Sequence, residues 1–170
     1  MPLSRLGAGP EFTKLTANAR LSQPMPYELR LDLIGAGQYS LGKPMMRPEQ
    51  IALDGNDAVS AFASGSFTAD QGVTLRSELS RPFAVSFNAV NAVLSPYLFG
   101  SYGRGWLADA TSVEQSVINA SAFGVGVRGN VEAKAGLPAA SLGIELGRGY
   151  TDVAGIRQGW RANVTASALF

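Results

Sequence analysis

The sequence contains no cysteine and no histidine. These absences remove disulfide bridges, thiolate and imidazole metal ligands, cysteine nucleophiles and the side chain most often used as a general base. Charge is also scarce, because Asp, Glu, Lys and Arg make up 16% of the chain, whereas roughly 25% is usual in soluble domains. The composition therefore predicts a protein that is not an enzyme and that has no metal site and no cofactor.

Two further features are missing. The net charge is only +1 and the basic residues are scattered, so the chain lacks the electrostatic footprint of a nucleic-acid-binding protein. No stretch reaches 18 consecutive apolar residues, which excludes a transmembrane helix. Residues 1–11 have no apolar run after Arg5, so they are predicted to be a disordered amino-terminal segment rather than a secretory signal, and an export signal would have to lie on a longer parent chain.

What the chain does have is alternation. In the last ten residues, Ala162, Val164, Ala166, Ala168 and Phe170 share one face. A period of two puts successive side chains on opposite faces of a strand. The same period predicts seven strands, which are Phe12–Gln23, Tyr27–Tyr39, Gly72–Pro82, Ala92–Arg104, Val117–Glu132, Leu137–Tyr150 and Arg161–Phe170.

The apolar faces of these strands could face lipid or face each other. Four features favour an antiparallel up-and-down transmembrane β-barrel. The segments are longer than the five or six residues usual in soluble strands, small residues crowd the polar face, aromatic residues lie near strand ends, and nearly every strand charge lies on the polar face. Arg148 is the exception, near the end of its strand. The alternative is a soluble or surface β-sandwich binding module, in which Leu29, Leu31 and Leu33 would pack on Leu142, Ile144 and Leu146.

The connectors alternate in length. Those at 24–26, 83–91 and 133–136 form the shorter set, and those at 42–71, 107–114 and 151–158 are longer or more polar. Outer-membrane barrels have this arrangement, with short periplasmic turns and long extracellular loops. The alternation therefore predicts which end of each strand faces outward, although Val85 and Phe87 indicate that 83–91 could extend its flanking strands.

An ordered series of short motifs identifies a family. The series runs Gly37-Gln38-Tyr39-Ser40, Pro48-Glu49-Gln50, Leu53-Asp54-Gly55-Asn56-Asp57-Ala58-Val59-Ser60-Ala61-Phe62, Leu75-Arg76-Ser77-Glu78-Leu79, Ser95-Pro96-Tyr97-Leu98-Phe99-Gly100-Ser101-Tyr102-Gly103 and Gly124-Val125-Gly126-Val127-Arg128, and ends at Phe170. This series resembles the carboxy-terminal half of two-partner-secretion outer-membrane transporters, the haemolysin activation/secretion family.

The resemblance implies a sixteen-stranded barrel behind periplasmic domains, which exports a haemolysin- or adhesin-type partner protein through its lumen. Residues 12–170 would then be the last seven strands of that barrel, incomplete by themselves, and 42–71 would be a long loop folded back into the lumen. The alternative is that residues 42–71 form a flexible extracellular loop. The expected location is the bacterial outer membrane, in contact with its lipid. The terminal strand would be the signal for the barrel-assembly machinery, through Trp160, Val164, Ala166, Ala168 and Phe170.

Two motifs depart from the family pattern. The lumenal loop of the family carries Val-Arg-Gly-Tyr or Val-Arg-Gly-Phe where this chain has Val59-Ser60-Ala61-Phe62, and the facing strand carries Phe-x-Asp-x-Gly where this chain has Phe99-Gly100-Ser101-Tyr102-Gly103. Removing both members of a buried charge pair avoids stranding either one. Ser60 and Ser101 could form a weaker hydrogen-bonded substitute, or the loop could stay undocked, and in either case we expect impaired transport. The candidate site residues are Asp54, Gly55, Val59, Ser60, Ala61 and Phe62 in the loop and Phe99, Ser101 and Gly103 in the strand.

Two other signals are interpreted structurally. Residues 124–129 match the dinucleotide fingerprint GxGxxG, but the motif needs a strand-to-helix turn, and here it lies within a strand. We interpret these glycines as relief of crowding. Glu28 with Asp32, and Glu78 with Glu145, could be paired carboxylates for acid–base chemistry, but Arg30 and Arg76 nearby favour a polar channel wall.

Overall fold

A computed structural model describes residues 7–87, 90–131 and 139–169 of the 170-residue chain. It contains one 3-10 turn, Arg47–Glu49, and no helix in the described part is long and apolar enough to cross a bilayer. The ten strands are β1 Leu15–Pro24, β2 Arg30–Tyr39, β3 Ile51–Ala52, β4 Thr68–Ala69, β5 Gln71–Ser80, β6 Phe83–Phe87, β7 Val90–Trp106, β8 Val117–Val131, β9 Ala139–Thr151 and β10 Gly159–Leu169.

Apart from β3 and β4, the strands form one antiparallel sheet. Its order is β1-β2-β5-β7-β8-β9-β10, with β6 beside the first part of β7. The order in the sheet follows the order along the chain, with β3 and β4 inserted between β2 and β5, and β6 between β5 and β7. The predicted all-β antiparallel fold is confirmed.

The third predicted strand continues beyond its expected end. β5 and β6 keep one register against β7, since Ser80 lies opposite Tyr97 and Phe83 opposite Leu94. Arg81 N donates to Pro96 O at 3.1 Å across the break between them. Pro82 has no N–H to donate to the ladder. Residues 83–87 and 90–91 of the predicted connector are therefore strand, which confirms the extension of the flanking strands that Val85 and Phe87 indicate.

The first turn lies later than expected. β1 ends at Pro24, one residue beyond the predicted Gln23. The tight turn centres on Tyr27 and Glu28, with φ of 64° and 62°, so β2 begins at Arg30 and not at the predicted Tyr27. Two successive left-handed residues give the right-handed strand twist that a short hairpin needs. The predicted turn at 133–136 and residues 1–6 of the predicted disordered segment 1–11 lie outside the described residues. In the described part of that segment, Ala8 is buried, with 2% of its surface exposed.

The two faces of the sheet differ sharply. The apolar face, which carries Leu75, Leu98 and Ile144, is exposed, and these side chains keep 55%, 58% and 47% of their surface open. The polar face, which carries Arg76, Glu78 and Glu145, is covered by residues 51–69. A β-sandwich would bury the leucine-rich face instead. The sandwich alternative is therefore wrong for this structure.

Candidate functional site

Residues 40–70 fold over the polar face of the sheet. Their centre is the small hairpin of β3 and β4, in which Ile51 pairs with Ala69. The loop reaches both outer strands, because Asp57 lies 3.9 Å from Arg20 of β1 and Ser60 O accepts a 2.8 Å hydrogen bond from Asn163 Nδ2 of β10. The polar face therefore holds this loop across its whole width.

Glycines in the strands make room for the loop. A Cβ on Gly105 would lie 2.5 Å from the Ala69 Cβ and 2.9 Å from the Leu53 Cδ1, and a Cβ on Gly103 would lie 3.2 Å from the Val59 Cγ2. On β9, a Cβ on Gly149 would lie 2.6 Å from Cζ of Phe62. The loop can approach the sheet this closely because these three positions of the wall carry no side chain.

The same device seats two aromatic rings of β7. A Cβ on Gly124 would lie 2.7 Å from Phe99 Cε1 and 2.1 Å from Leu146 O, and a Cβ on Gly126 would lie 2.3 Å from Tyr97 Cζ. Both glycines are inside β8. The interpretation of the GxGxxG match as relief of crowding is thus confirmed for Gly124 and Gly126, and the whole motif lies within a strand.

Beneath the loop lies a buried ion network centred on Arg76. Its Nε donates to Glu78 Oε1 at 2.7 Å, its Nη2 bonds to Glu145, and its guanidinium lies 4.1 Å from the Phe99 ring centroid. Arg76 is 1% exposed. Burying one cation between two carboxylates is tolerable only when the geometry satisfies all three groups.

The network extends along the wall. Arg128 Nη2 donates to Glu78 Oε2 at 3.3 Å and stacks on Tyr97, whose hydroxyl donates to Glu145 Oε2 at 3.0 Å. Arg30 pairs with Asp32 nearer the turn end. These contacts confirm that Asp32, Glu78 and Glu145 belong to a polar wall with arginine partners. Glu28 does not: it lies in the turn before β2 and pairs with Arg81 at 3.3 Å.

Ser60 joins the loop to this network. Its Oγ accepts from Arg76 Nη1 at 2.8 Å and bonds to Glu145. Ser101 is also buried, but its hydroxyl lies 3.5 Å from Ala122 O. The two serines therefore bond to other partners rather than to each other, and the loop is docked through the wall's own ion network.

The remaining candidate residues divide into three groups. Asp54 holds the loop in shape by accepting from Gly65 N at 3.1 Å and Phe67 N at 2.8 Å, and Gly55 has φ 121°, which favours glycine. Val59, Ala61, Phe62, Phe99 and Gly103 meet in the packing beneath the loop. The terminal-strand residues lie apart from this site, because Trp160 and Val164 are 60% and 67% exposed, Ala166 and Ala168 are exposed, and Phe170 is outside the described residues.

The sequence interpretation missed three contributors. Two of them are Asn163, on the polar face of β10, and Asp57, in the loop itself, which together connect the loop to the two outer strands. Asp70 was missed as well: it is fully buried and accepts from Met45 N at 2.9 Å, Gln50 Nε2 at 3.0 Å and Ala108 N at 2.7 Å. Its only sequence signal is its place at the start of β5.

Comparison with known proteins identifies a family. Residues 4–129 match the family described as haemolysin secretion/activation protein ShlB/FhaC/HecB. Neither the curated proteins nor the solved structures compared with the chain gave a match. Proteins of this family are outer-membrane transporters that act in two-partner secretion. The matched residues cover most of the chain and include both the loop motif and the facing motif of β7. This chain therefore belongs to the haemolysin secretion/activation family.

Proposed function

We propose that this chain is part of an outer-membrane protein translocator that exports a haemolysin- or adhesin-type partner protein. Residues 12–170 would form the carboxy-terminal part of its barrel, with the apolar face toward lipid and the polar face toward the translocation path. The observation that carries the proposal is the division of the faces: Leu98 is 58% exposed on one, whereas Arg76 is 1% exposed under the loop on the other. Soluble proteins bury leucine and expose arginine, whereas a membrane barrel has an apolar outer surface and a polar interior.

The sheet implies further strands. Its order ends at β1 on one side and at β10 on the other, and hydrocarbon cannot satisfy the backbone groups of an open edge. The complete pore therefore needs strands beside these two. We infer that β10 presents Trp160, Val164, Ala166, Ala168 and Phe170 to the barrel-assembly machinery.

Location provides the direct test. The full chain is expressed behind a cleavable secretory signal in a Gram-negative host, and the membranes are washed with sodium carbonate. We expect the chain in the washed outer-membrane pellet, because its exposed apolar face requires lipid. Recovery of folded chain in the wash, without detergent, would contradict the proposal. A matched variant with the exposed Leu98 changed to Asp should shift toward the wash or fail to assemble, since a charge there would face lipid.

Transport is expected to be impaired in this chain, because the family's loop arginine and strand aspartate are replaced by Ser60 and Ser101. The test introduces serine at both corresponding positions of an intact transporter of the family and measures the rate at which its partner is secreted. A normal secretion rate would refute the impairment.

A related prediction concerns Ser60→Arg in this chain. Ser60 Oγ lies 2.8 Å from Arg76 Nη1, so a second guanidinium there would meet a like charge in a buried site. We expect lower thermal stability and faster proteolysis within 53–67. Adding Ser101→Asp should restore much of the loss, because residue 101 lies directly opposite Arg76 in the sheet. Thermal unfolding in detergent measures both effects, and a single Ser60→Arg variant as stable as the parent would contradict this account.

A further inference from the structure

Two arginines lie on the apolar face of the sheet, where charged side chains are not expected. Among the described strand residues, the charged side chains of the apolar face are Arg104 of β7 and Arg148 of β9. Arg148 was expected from the sequence, and the register adds Arg104, which lies opposite Asn119. None of the ion pairs between described residues includes either arginine. The apolar face therefore carries two guanidinium groups that form no ion pair with any described carboxylate.

Both arginines belong to the same local pattern. Each is followed by a glycine and an aromatic residue, as Arg104-Gly105-Trp106 and Arg148-Gly149-Tyr150. Arginine and ring share a face, with Cζ of Arg104 5.2 Å from the Trp106 ring centroid and Cζ of Arg148 5.3 Å from that of Tyr150. Both strands run toward the end of the sheet that carries the long loops, and the pairs lie within three residues of the strand ends.

A groove of about 360 Å³ lies between Tyr102 of β7 and Tyr150 of β9, and each tyrosine is two residues from one of the arginines on the same face. A chain of hydrogen bonds crosses its floor: Tyr102 Oη donates to Asn119 Oδ1 at 3.0 Å, and Asn119 Nδ2 donates to Asp152 Oδ2 at 2.6 Å. Partial burial raises the pKa of Asp152, but the hydrogen bonds from Asn119 outweigh it and hold that pKa below its ordinary value. The carboxylate is thus already engaged by Asn119. The groove is lined by Tyr102, Asn119, Ser121, Tyr150, Asp152 and Gln158.

Depth decides what such a patch can do in a membrane. A lipid-facing arginine costs roughly 2 to 4 kcal/mol at the midplane and about 0 to 1 kcal/mol near the interface. Aromatic rings mark the interface, and here Phe123 stacks on Tyr150 at 6.0 Å and meets Trp160 edge-on at 6.5 Å. At headgroup depth a guanidinium forms bidentate hydrogen bonds with phosphate. The two arginines match the phosphates of a lipid headgroup. The aromatic rings and the hydrogen-bonding side chains of the groove match a sugar.

We propose that this outward patch binds the phosphorylated sugar headgroup of a glycolipid in the leaflet at the loop end of the barrel. Arg104 and Arg148 bind its phosphates, and Tyr102 and Tyr150 flank its sugar. The inference rests on the proposed function, since it requires the apolar face to lie in a bilayer. It adds a specific lipid class and the residues that recognise it.

The two tryptophans of the chain provide the probe. Trp106 and Trp160 are the only ones in the sequence, and both lie on this face. The full chain, folded in zwitterionic detergent, is titrated with diphosphoryl lipid A while tryptophan fluorescence is recorded. We expect saturable binding, weakened about fivefold by Arg104→Gln or by Arg148→Gln and about 25-fold by both, at roughly 1 kcal/mol for each charge. Arg161→Gln is the matched control, because this arginine lies on the opposite face of β10 and should leave the affinity unchanged.

Three results would overturn the inference: equal affinity for fully dephosphorylated lipid A, an equal fluorescence change with millimolar inorganic phosphate alone, or equal weakening by Arg161→Gln. Carbonate washing of the same variants separates the two proposals. If the chain inserts and the Arg104→Gln and Arg148→Gln variants bind as the parent does, only this inference fails. If the chain does not enter membranes at all, the proposed function fails with it.

Discussion

Replacing Arg76 with alanine is expected to release the loop from the sheet and to cost about 3 to 5 kcal/mol of stability. The substitution leaves Glu78 and Glu145 buried at 3% and 8% exposure without their shared cation, and it removes the 2.8 Å bond from Arg76 Nη1 to Ser60. Unfolding in urea, with the chain in detergent, measures the loss. Limited proteolysis within 53–67 shows whether the loop has left the sheet.

The control for this prediction is Arg30→Ala. Arg30 also lies on the polar face and pairs with Asp32, but its side chain is 53% exposed, and an exposed pair contributes about 0 to 1 kcal/mol. A second variant, Arg76→Ala with Glu145→Ala, should recover part of the loss because it removes one stranded carboxylate. An Arg76→Ala protein as stable as Arg30→Ala, with its loop still protected, would show that the network does not hold the loop.

The second large effect is expected for Gly149→Ala. A Cβ there would lie 2.6 Å from Cζ and 2.7 Å from Cε2 of Phe62, so either the ring or the strand must shift. Overpacking of this kind costs roughly 1 to 3 kcal/mol. Because Phe62 belongs to the loop and Gly149 to the wall, we expect the strain to be relieved by partial undocking, seen as faster proteolysis near Phe62.

Two variants make this prediction specific. In a Phe62→Ala background the clash is absent, so Gly149→Ala should then be close to neutral. Gly100→Ala is the matched control: Gly100 is also inside a strand, but a Cβ there meets nothing within 4 Å, and an effect within about 0.5 kcal/mol is expected. Equal destabilisation by Gly149→Ala with and without Phe62 would place the strain elsewhere.

Much of the fold could be predicted because alternation is a local signal. A period of two assigns each side chain to a face without knowledge of its neighbours, so Leu142 and Ile144 were placed on the apolar face and Glu145 on the polar face. Boundaries were less accurate. The tight turn lies at Tyr27 and Glu28 rather than at the prolines, because left-handed φ at two non-glycine residues has no clear sequence signal.

The site could be predicted only in part. The motifs identified Ser60 and Phe62 as loop residues that meet the wall, and the paired glycines were interpreted as relief of crowding. The partners were not predictable, since Ser60 meets Glu145, which is 85 residues away in sequence, and Asn163, which is 103 residues away. Such pairs depend on the register of several strands at once, and a shift of one residue would turn every side chain to the other face.

The sequence by itself determined the periodicity, and with it the two unlike faces, the family and the absence of the residues that would support cysteine or histidine chemistry. The tertiary structure decided which charges meet. It placed Arg76 between Glu78 and Glu145, docked the loop on glycines from three strands, and put Arg104 beside Trp106 on the apolar face. The physical reason is that facing direction is a local property of a strand, whereas contact depends on strand order, register and a loop folded back over the sheet, which are long-range properties of the chain.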